Sequence, residues 1–158
     1  MKMKRISSIL VLLVVVFLVS GCNVFSKKVH EHCTRTGTID ENSSVTLSYD
    51  IYYTKDRLNQ LEALEQVTSN DQEVLDKYED AYKRIHENYK GIDGYDTSLE
   101  RDENSVSSYM EIDYDEVDTS KIIEIEGEKD NIFVNGVAKV DKWKKLATQF
   151  GTSCSTVE

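Results

Sequence analysis

Between Val45 and Tyr53 the chain alternates without a break. Val45, Leu47, Tyr49, Ile51 and Tyr53 fall on one side, and Thr46, Ser48, Asp50 and Tyr52 on the other. Only an extended strand places successive side chains on opposite faces, so the segment predicts a half-buried β-strand. Such a strand needs lateral partners for its backbone and a second layer over its apolar face. Most of the remaining chain can be read as supplying one or the other.

After a polar turn at Lys55-Asp56, the stretch Arg57 to Thr68 fits two patterns. Leu58, Leu61, Leu64 and Val67 recur every third residue, as on a helix, yet the position after strand and turn suits a hairpin partner. The reading adopted is strand. Ser69 to Lys90 predicts a long helix, opened by a capping box of Ser69 and Gln72. Its apolar stripe is Val74, Leu75, Tyr78, Ala81, Tyr82, Ile85 and Tyr89, and Gly91 ends it. Ser98 to Arg101 and Val106 to Tyr114 form a second hairpin, with Tyr109, Glu111 and Asp113 facing out. A short helix follows at Ser120 to Glu124. Ile132 to Val134 and Val137 to Val140 flank Asn135-Gly136, a tight-hairpin signal. Asp141 is then expected to cap a last helix carrying Trp143, Leu146, Ala147 and Phe150, ended by Gly151. The order of strands, helix, strands, helix implies an α+β fold, an antiparallel sheet built from hairpins with helices packed on it.

The first residues follow a different logic. Lys2, Lys4 and Arg5 precede the unbroken apolar run Ile9 to Val19, about half the ~20 residues a membrane-spanning helix needs. A short apolar core with a basic flank reads as a signal peptide. Val19-Ser20-Gly21-Cys22 resembles the lipobox of bacterial lipoproteins, in which small residues before the cysteine admit the peptidase and the thiol carries diacylglycerol. The resemblance implies a signal peptide over residues 1–21, Cys22 as the lipid attachment point with palmitate-type acyl chains, and an anchor at the extracytoplasmic face of the cell membrane. Residues 22–32 then read as a membrane tether and 33–158 as a single domain. The net charge of −10 argues against nucleic acid as a partner.

Cys33 and Cys154 remain, and outside the cytoplasm they allow one disulfide. The expectation is that Cys33 precedes the first sheet strand and Cys154 follows the last helix, so that a bond pins both chain ends. The alternative is two free thiols.

The strand Tyr49-Asp50-Ile51-Tyr52-Tyr53, the run Met110-Glu111-Ile112-Asp113-Tyr114 toward Asp118, and the ending Phe150-Gly151-Thr152-Ser153-Cys154 resemble small bacterial lipoproteins related to YehR, a domain of unknown function. The resemblance implies the α+β fold and a hairpin ahead of the long helix. It brings no catalytic residue.

Several constellations bear on chemistry. His30-Glu31-His32-Cys33 gathers metal-ligand types suited to zinc or copper, but consecutive residues converge poorly, and the reading is a polar tether with no metal. Glu111, Asp113 and Asp115 alternate, with Glu116 and Asp118 behind them, and read as a solvated acidic face. His86 stands on the border of the helix stripe with no motif joining it to a nucleophile. Lys139, Lys142, Lys144 and Lys145 crowd the start of a helix against its dipole, which suits salt bridges to nearby acids better than an anionic partner. Tyr52 and Tyr109 point to the polar sheet face, as a candidate binding surface or as a cross-strand aromatic pair. No catalytic residue and no cofactor is assigned. The expectation is a non-catalytic binding or envelope-interaction module, with an envelope or membrane protein as its partner. The alternatives are an accessory subunit of a membrane transporter or complex, and a small carboxylate-dependent envelope hydrolase.

Overall fold

The computed structural model describes residues 27–127 and 131–158; residues 1–21, expected to be a signal peptide, and Cys22 lie outside them. Six strands form one antiparallel sheet, and three helices lie on one of its faces. In chain order the elements are β1 (Lys28–Asp40), β2 (Ser43–Thr54), β3 (Arg57–Ser69), α1 (Gln72–Tyr89), β4 (Tyr95–Arg101), β5 (Ser105–Asp113), α2 (Thr119–Glu126), β6 (Phe133–Val134), β7 (Val137–Ala138), α3 (Val140–Gln149) and β8 (Ser153–Thr156). The strand order across the sheet is β4-β5-β3-β2-β1-β8, and β6-β7 form a separate small hairpin. This is the α+β architecture that the element order predicted.

The ambiguous segment is a strand, and a bulge explains its helix-like spacing. Tyr53 pairs with Leu58, but Tyr52 pairs with Gln60, so Asn59 is an extra residue in β3. A bulge lets two positions three apart face the same way, and Leu58, Leu61, Ala63 and Val67 are all buried. Leu64 falls on the other face and is 42% exposed. The bulge is tied down from outside the strand: the Asn59 carbonyl accepts the Tyr114 N–H at 2.8 Å, and its side-chain amide donates to Asp115.

The covered face holds two clusters. One gathers Cys33, Ile51, Leu58, Leu61, Ile112 and Tyr114 beneath α2 and α3, with Ile122 and Trp143 as their main contributions. Tyr49 meets Trp143 edge-on at 5.4 Å. The other gathers Val67 and Val106 beneath Leu75 and Tyr82 of α1. Gly94 is required at the start of β4, because its φ is +72° and a Cβ there would lie 2.9 Å from the Val117 nitrogen.

Several expectations need correction. Residues 28–32, expected to belong to a tether, are instead the start of β1, which pairs with β2 along its whole length. Its inward positions include Glu31, Arg35 and Gly37, so hydrophobic alternation does not reveal it. Cys33 is therefore inside a strand, and Cys154 lies directly opposite it on β8, a strand the sequence reading missed. The two sulfurs are at disulfide distance, so the link joins neighbouring strands rather than two chain ends. The α1 cap is Asp71, whose carboxylate accepts from the Glu73 N–H. Ser69 instead ends β3, where its hydroxyl meets that of Ser43 at 2.8 Å. Asp141 sits in the first turn of α3 and does not cap it, and Phe150 is 66% exposed rather than packed.

The polar inner positions of β1 are satisfied by the C-terminal segment. Glu31 is buried and accepts hydrogen bonds of 2.6 Å from both Lys144 of α3 and the Tyr53 hydroxyl. Burial alone pushes the Glu31 carboxyl up, but the Lys144 and Tyr53 hydrogen bonds outweigh it and hold it below its ordinary value. Lys139 pairs similarly with Asp56. Two of the four crowded lysines are thus paired with acids.

Lys144→Met should cost about 1–3 kcal/mol, as expected when a buried acid loses a charged hydrogen-bond partner. A carboxyl with a depressed folded pKa stabilises above its unfolded pKa and loses that contribution as pH falls through the folded value. The gap between wild type and variant in urea melts should therefore be widest near neutrality and close below pH 4. Deleting Asn59 should keep a sharp urea transition, because Gln60 then follows Leu58 directly and still meets Tyr52, so Leu61, Ala63 and Val67 stay on the core side; the lost bonds to Tyr114 and Asp115 should cost about 1–3 kcal/mol. Loss of cooperative unfolding in the deletion variant would contradict this register assignment.

Candidate functional site

The face without helices carries the side chains at alternate positions of every long strand. His30 and His32 of β1, Asp50 and Tyr52 of β2, Gln60 and Glu62 of β3, and Tyr109 and Glu111 of β5 stand together there. Register gives them order. Asp96, Glu111, Glu62, Asp50 and His32 are directly opposed residues on β4, β5, β3, β2 and β1. Four carboxylates therefore occupy neighbouring strands spaced ~4.8 Å apart, an arrangement that is destabilising when like charges face each other.

Neighbouring groups relieve part of that repulsion. Asp50 Oδ1 lies 2.7 Å from His30 Nε2 and 3.1 Å from His32 Nδ1. Burial would raise the Asp50 carboxyl, yet the two imidazoles hold it below its ordinary value. The Gln60 amide donates to Glu111 at 2.9 Å and to Glu62 at 3.3 Å. Among the described residues Glu62 has no cationic partner in hydrogen-bond reach, and burial followed by the charges of Glu111 and Asp50 pushes its carboxyl up. The Tyr109 hydroxyl donates to Glu111, and burial together with the Glu111 and Glu62 charges pushes its pKa up to about 12.

Tyr52 and Tyr109 both stand on this open face but do not form a cross-strand pair. Tyr52 opposes His30 and Gln60, and Tyr109 opposes Leu64 and Ser98. Tyr52 stacks on the His30 ring with centroids 4.4 Å apart, and Lys28 Nζ lies 5.0 Å from its ring centre. The four-residue set His30-Glu31-His32-Cys33 is split by strand alternation. The imidazoles face outward, while Glu31 and Cys33 face the core. Of the acidic run, Glu111 and Asp113 lie on β5, whereas Asp115 is past the strand and pairs with Arg57. Asp118 caps α2 through the Ser120 and Lys121 N–H groups. Cys22 lies outside the described residues.

Sequence reasoning missed Asp50 and Glu62 as site residues and left His30 and His32 in the tether. One signal was present: threonine recurs at alternate positions 34, 36 and 38, a strand-like period in a segment poor in apolar residues. A second constellation lies under α1, where His86 Nε2 is 2.8 Å from Ser108 Oγ. Burial lowers the His86 pKa. Among the described residues no carboxylate is hydrogen-bonded to its other ring nitrogen, so the pair does not extend to a triad.

No protein-family model matches the chain, and no curated protein matches its sequence. Two solved structures resemble it. The NMR structure of the E. coli YehR protein matches with a TM-score of 0.57 at 13% identity, covering 85% of this chain and 96% of that one. An NMR structure of a Streptococcus pneumoniae TIGR4 protein matches with a TM-score of 0.49 at 13% identity, covering 84% and 88%. The chain shares its α+β fold with YehR.

Glu62→Gln should stabilise the domain at neutral pH by about 0.2–1 kcal/mol, the scale of one cross-strand side-chain interaction. Thermal melts of wild type and variant in low salt provide the measurement. An unchanged or lower melting temperature would show that the carboxylate row is not repulsive.

Proposed function

We propose that the chain is a lipid-anchored extracytoplasmic protein of the cell membrane, a non-catalytic binding module that uses its open sheet face. The observation that carries the binding role is the asymmetry of the sheet. Three helices cover one face, while the other presents Tyr52, Tyr109, two imidazoles and a row of carboxylates to solvent. Aromatic rings with polar tips provide contact area at little entropic cost. The anchor rests on Val19-Ser20-Gly21-Cys22. Five residues lie between Cys22 and Lys28, a reach of ~20 Å at full extension. A lipid at Cys22 would therefore hold the β1 end of the sheet close to the bilayer. Cys33 and Cys154, with sulfurs at disulfide distance, suit an oxidising compartment. Among the described residues no helix is long and apolar enough to cross a membrane.

The test joins labelling with recovery. Wild-type chain grown with labelled palmitate should carry the label, and Cys22→Ala should not. After crosslinking and detergent extraction, wild type should recover an envelope component that Tyr52→Ala/Tyr109→Ala recovers at least about tenfold less, the scale of a lost interface hot spot. Unlabelled wild type would remove the anchor. Equal recovery by the double variant would remove the open face as the binding surface. Turnover of wall fragments by the purified protein would replace the binding module with a hydrolase.

A further inference from the structure

The helix-covered face is packed in two separate clusters, and the seam between them is not filled. Leu61 and Ile112 belong to one cluster, Val67 and Val106 to the other. Between them in the sheet stand Ala63 opposite Met110 and Glu65 opposite Ser108. The small Ala63 side chain leaves space that Tyr82 and Ile85, one turn apart on α1, do not close. A cavity of about 80 Å³ remains, with Tyr49, Ala63, Glu65, Tyr82, Ser108 and Met110 among its walls. One water needs only about 10–15 Å³ of such space, so there is room for a short alkyl chain with a polar head. Ile85 is exposed and Glu65 half-buried, so the cavity reaches solvent beside α1.

Three oxygen-bearing side chains interrupt these mainly apolar walls. Tyr82 is only 4% exposed, and its hydroxyl is shut off from solvent with no hydrogen-bond partner in reach among the described residues. Buried hydroxyls are seldom left so. Burial and then the nearby Glu65 charge push the Tyr82 pKa up. Among the described residues Glu65 makes no ion pair; Arg35 shares its cross-strand row but lies two strands away, beyond Leu47. Ser108 Oγ meets His86 Nε2 at 2.8 Å, and when the hydroxyl donates there its own lone pairs stay available. Burial lowers the His86 pKa, so at pH 7 that ring is neutral and adds no positive charge. A carboxylate, a phenol oxygen and a serine oxygen are thus acceptors that lack a cationic donor. A primary ammonium supplies a positive charge and three N–H groups, and tyrosine walls receive a cation better than aliphatic ones. An anion would be repelled by Glu65, and an alcohol would leave its charge unbalanced.

We propose that the cavity beneath α1 binds a small primary amine, its ammonium group set among Glu65, Tyr82 and Ser108 and its short apolar stem against Ala63, Met110 and Ile85. The site lies on the helix-covered side, so the proposal goes beyond the open-face reading and does not depend on it.

The full chain, purified in detergent and labelled at its methionine methyls, is titrated with n-butylamine, and with n-butanol and butyrate as probes of similar size. Met110 is the one methionine beyond residue 3, and its methyl resonance, identified by its loss in Met110→Leu, reports on the cavity. The amine should shift that resonance saturably, with one equivalent bound by calorimetry and Kd in the micromolar to millimolar range open to so small a ligand. Butanol and butyrate should bind at least about tenfold more weakly, the scale of one lost charged hydrogen bond. Glu65→Gln and Tyr82→Phe should each weaken amine binding by at least about the same factor, and Glu87→Gln on the exposed side of α1 should not. Circular dichroism establishes which variants fold, and the comparison of the three probes on wild type decides the matter if a variant does not. An unmoved Met110 resonance, equal affinity for butanol, or wild-type affinity in folded Glu65→Gln or Tyr82→Phe would each overturn the proposal. In phosphatidylcholine vesicles, weaker butylamine binding on addition of phosphatidylethanolamine would also overturn it, in favour of a lipid headgroup. None of these results bears on palmitate labelling or on Tyr52 and Tyr109, so the two readings fail separately.

Discussion

The extra residue in β3 sets the register on which the rest of the sheet depends. Lys55 and Asp56 make a two-residue turn, with Lys55 at φ 57°, and the turn places Leu58 opposite Tyr53. Continued without interruption, that register would set Leu61 opposite Asp50 and send the apolar residues of β3 to the solvent side. Asn59 absorbs one position. Leu61 then meets Ile51 on one side and Ile112 on the other, and Glu62 meets Asp50 and Glu111. The core and the acidic row are two faces of the same shift. The Asn59 carbonyl is held by the Tyr114 N–H, and Arg57 and Asp115 pair beside it, so the segment after β5 helps fix the bulge.

The N-terminal strand plays a second structural role. Its inward face is too polar to join a core unaided, because a buried charge without a partner costs several kcal/mol. Lys144 and Tyr53 satisfy Glu31, and Cys154 lies against Cys33. Both Lys144 and Cys154 come from the last fifteen residues. The first strand and the C-terminal segment therefore complete each other. If the sulfurs are bonded, the 121-residue separation makes the link worth about 4–5 kcal/mol in the chain-entropy account.

The open face owes its character to the same register. Asp50, Glu62, Asp96 and Glu111 are scattered through the sequence and become neighbours only because four strands align them. The cross-strand repulsion that follows has no benefit to packing. Local rules broken in a folded protein tend to concentrate at working surfaces, and here the break coincides with the imidazole pair and with Tyr52.

What the sequence determined by itself was local. Alternation identified β2, the 3.6-residue stripe identified α1, Asn135-Gly136 marked the β6–β7 turn, and their order pointed to the α+β class, because each of these signals is a periodicity or a backbone preference carried by adjacent residues. β1 and β8 were not legible, since neither has an apolar face and both exist through pairing with distant partners. Strand alternation likewise decided that His30 and His32 part from Glu31 and Cys33, which a string of consecutive ligands does not reveal. The position of Asp50 against both imidazoles, and of Glu62 against Asp50, was decided by tertiary structure alone. Register is a property of two strands together, and in this chain it turns on a bulge that no local propensity announces.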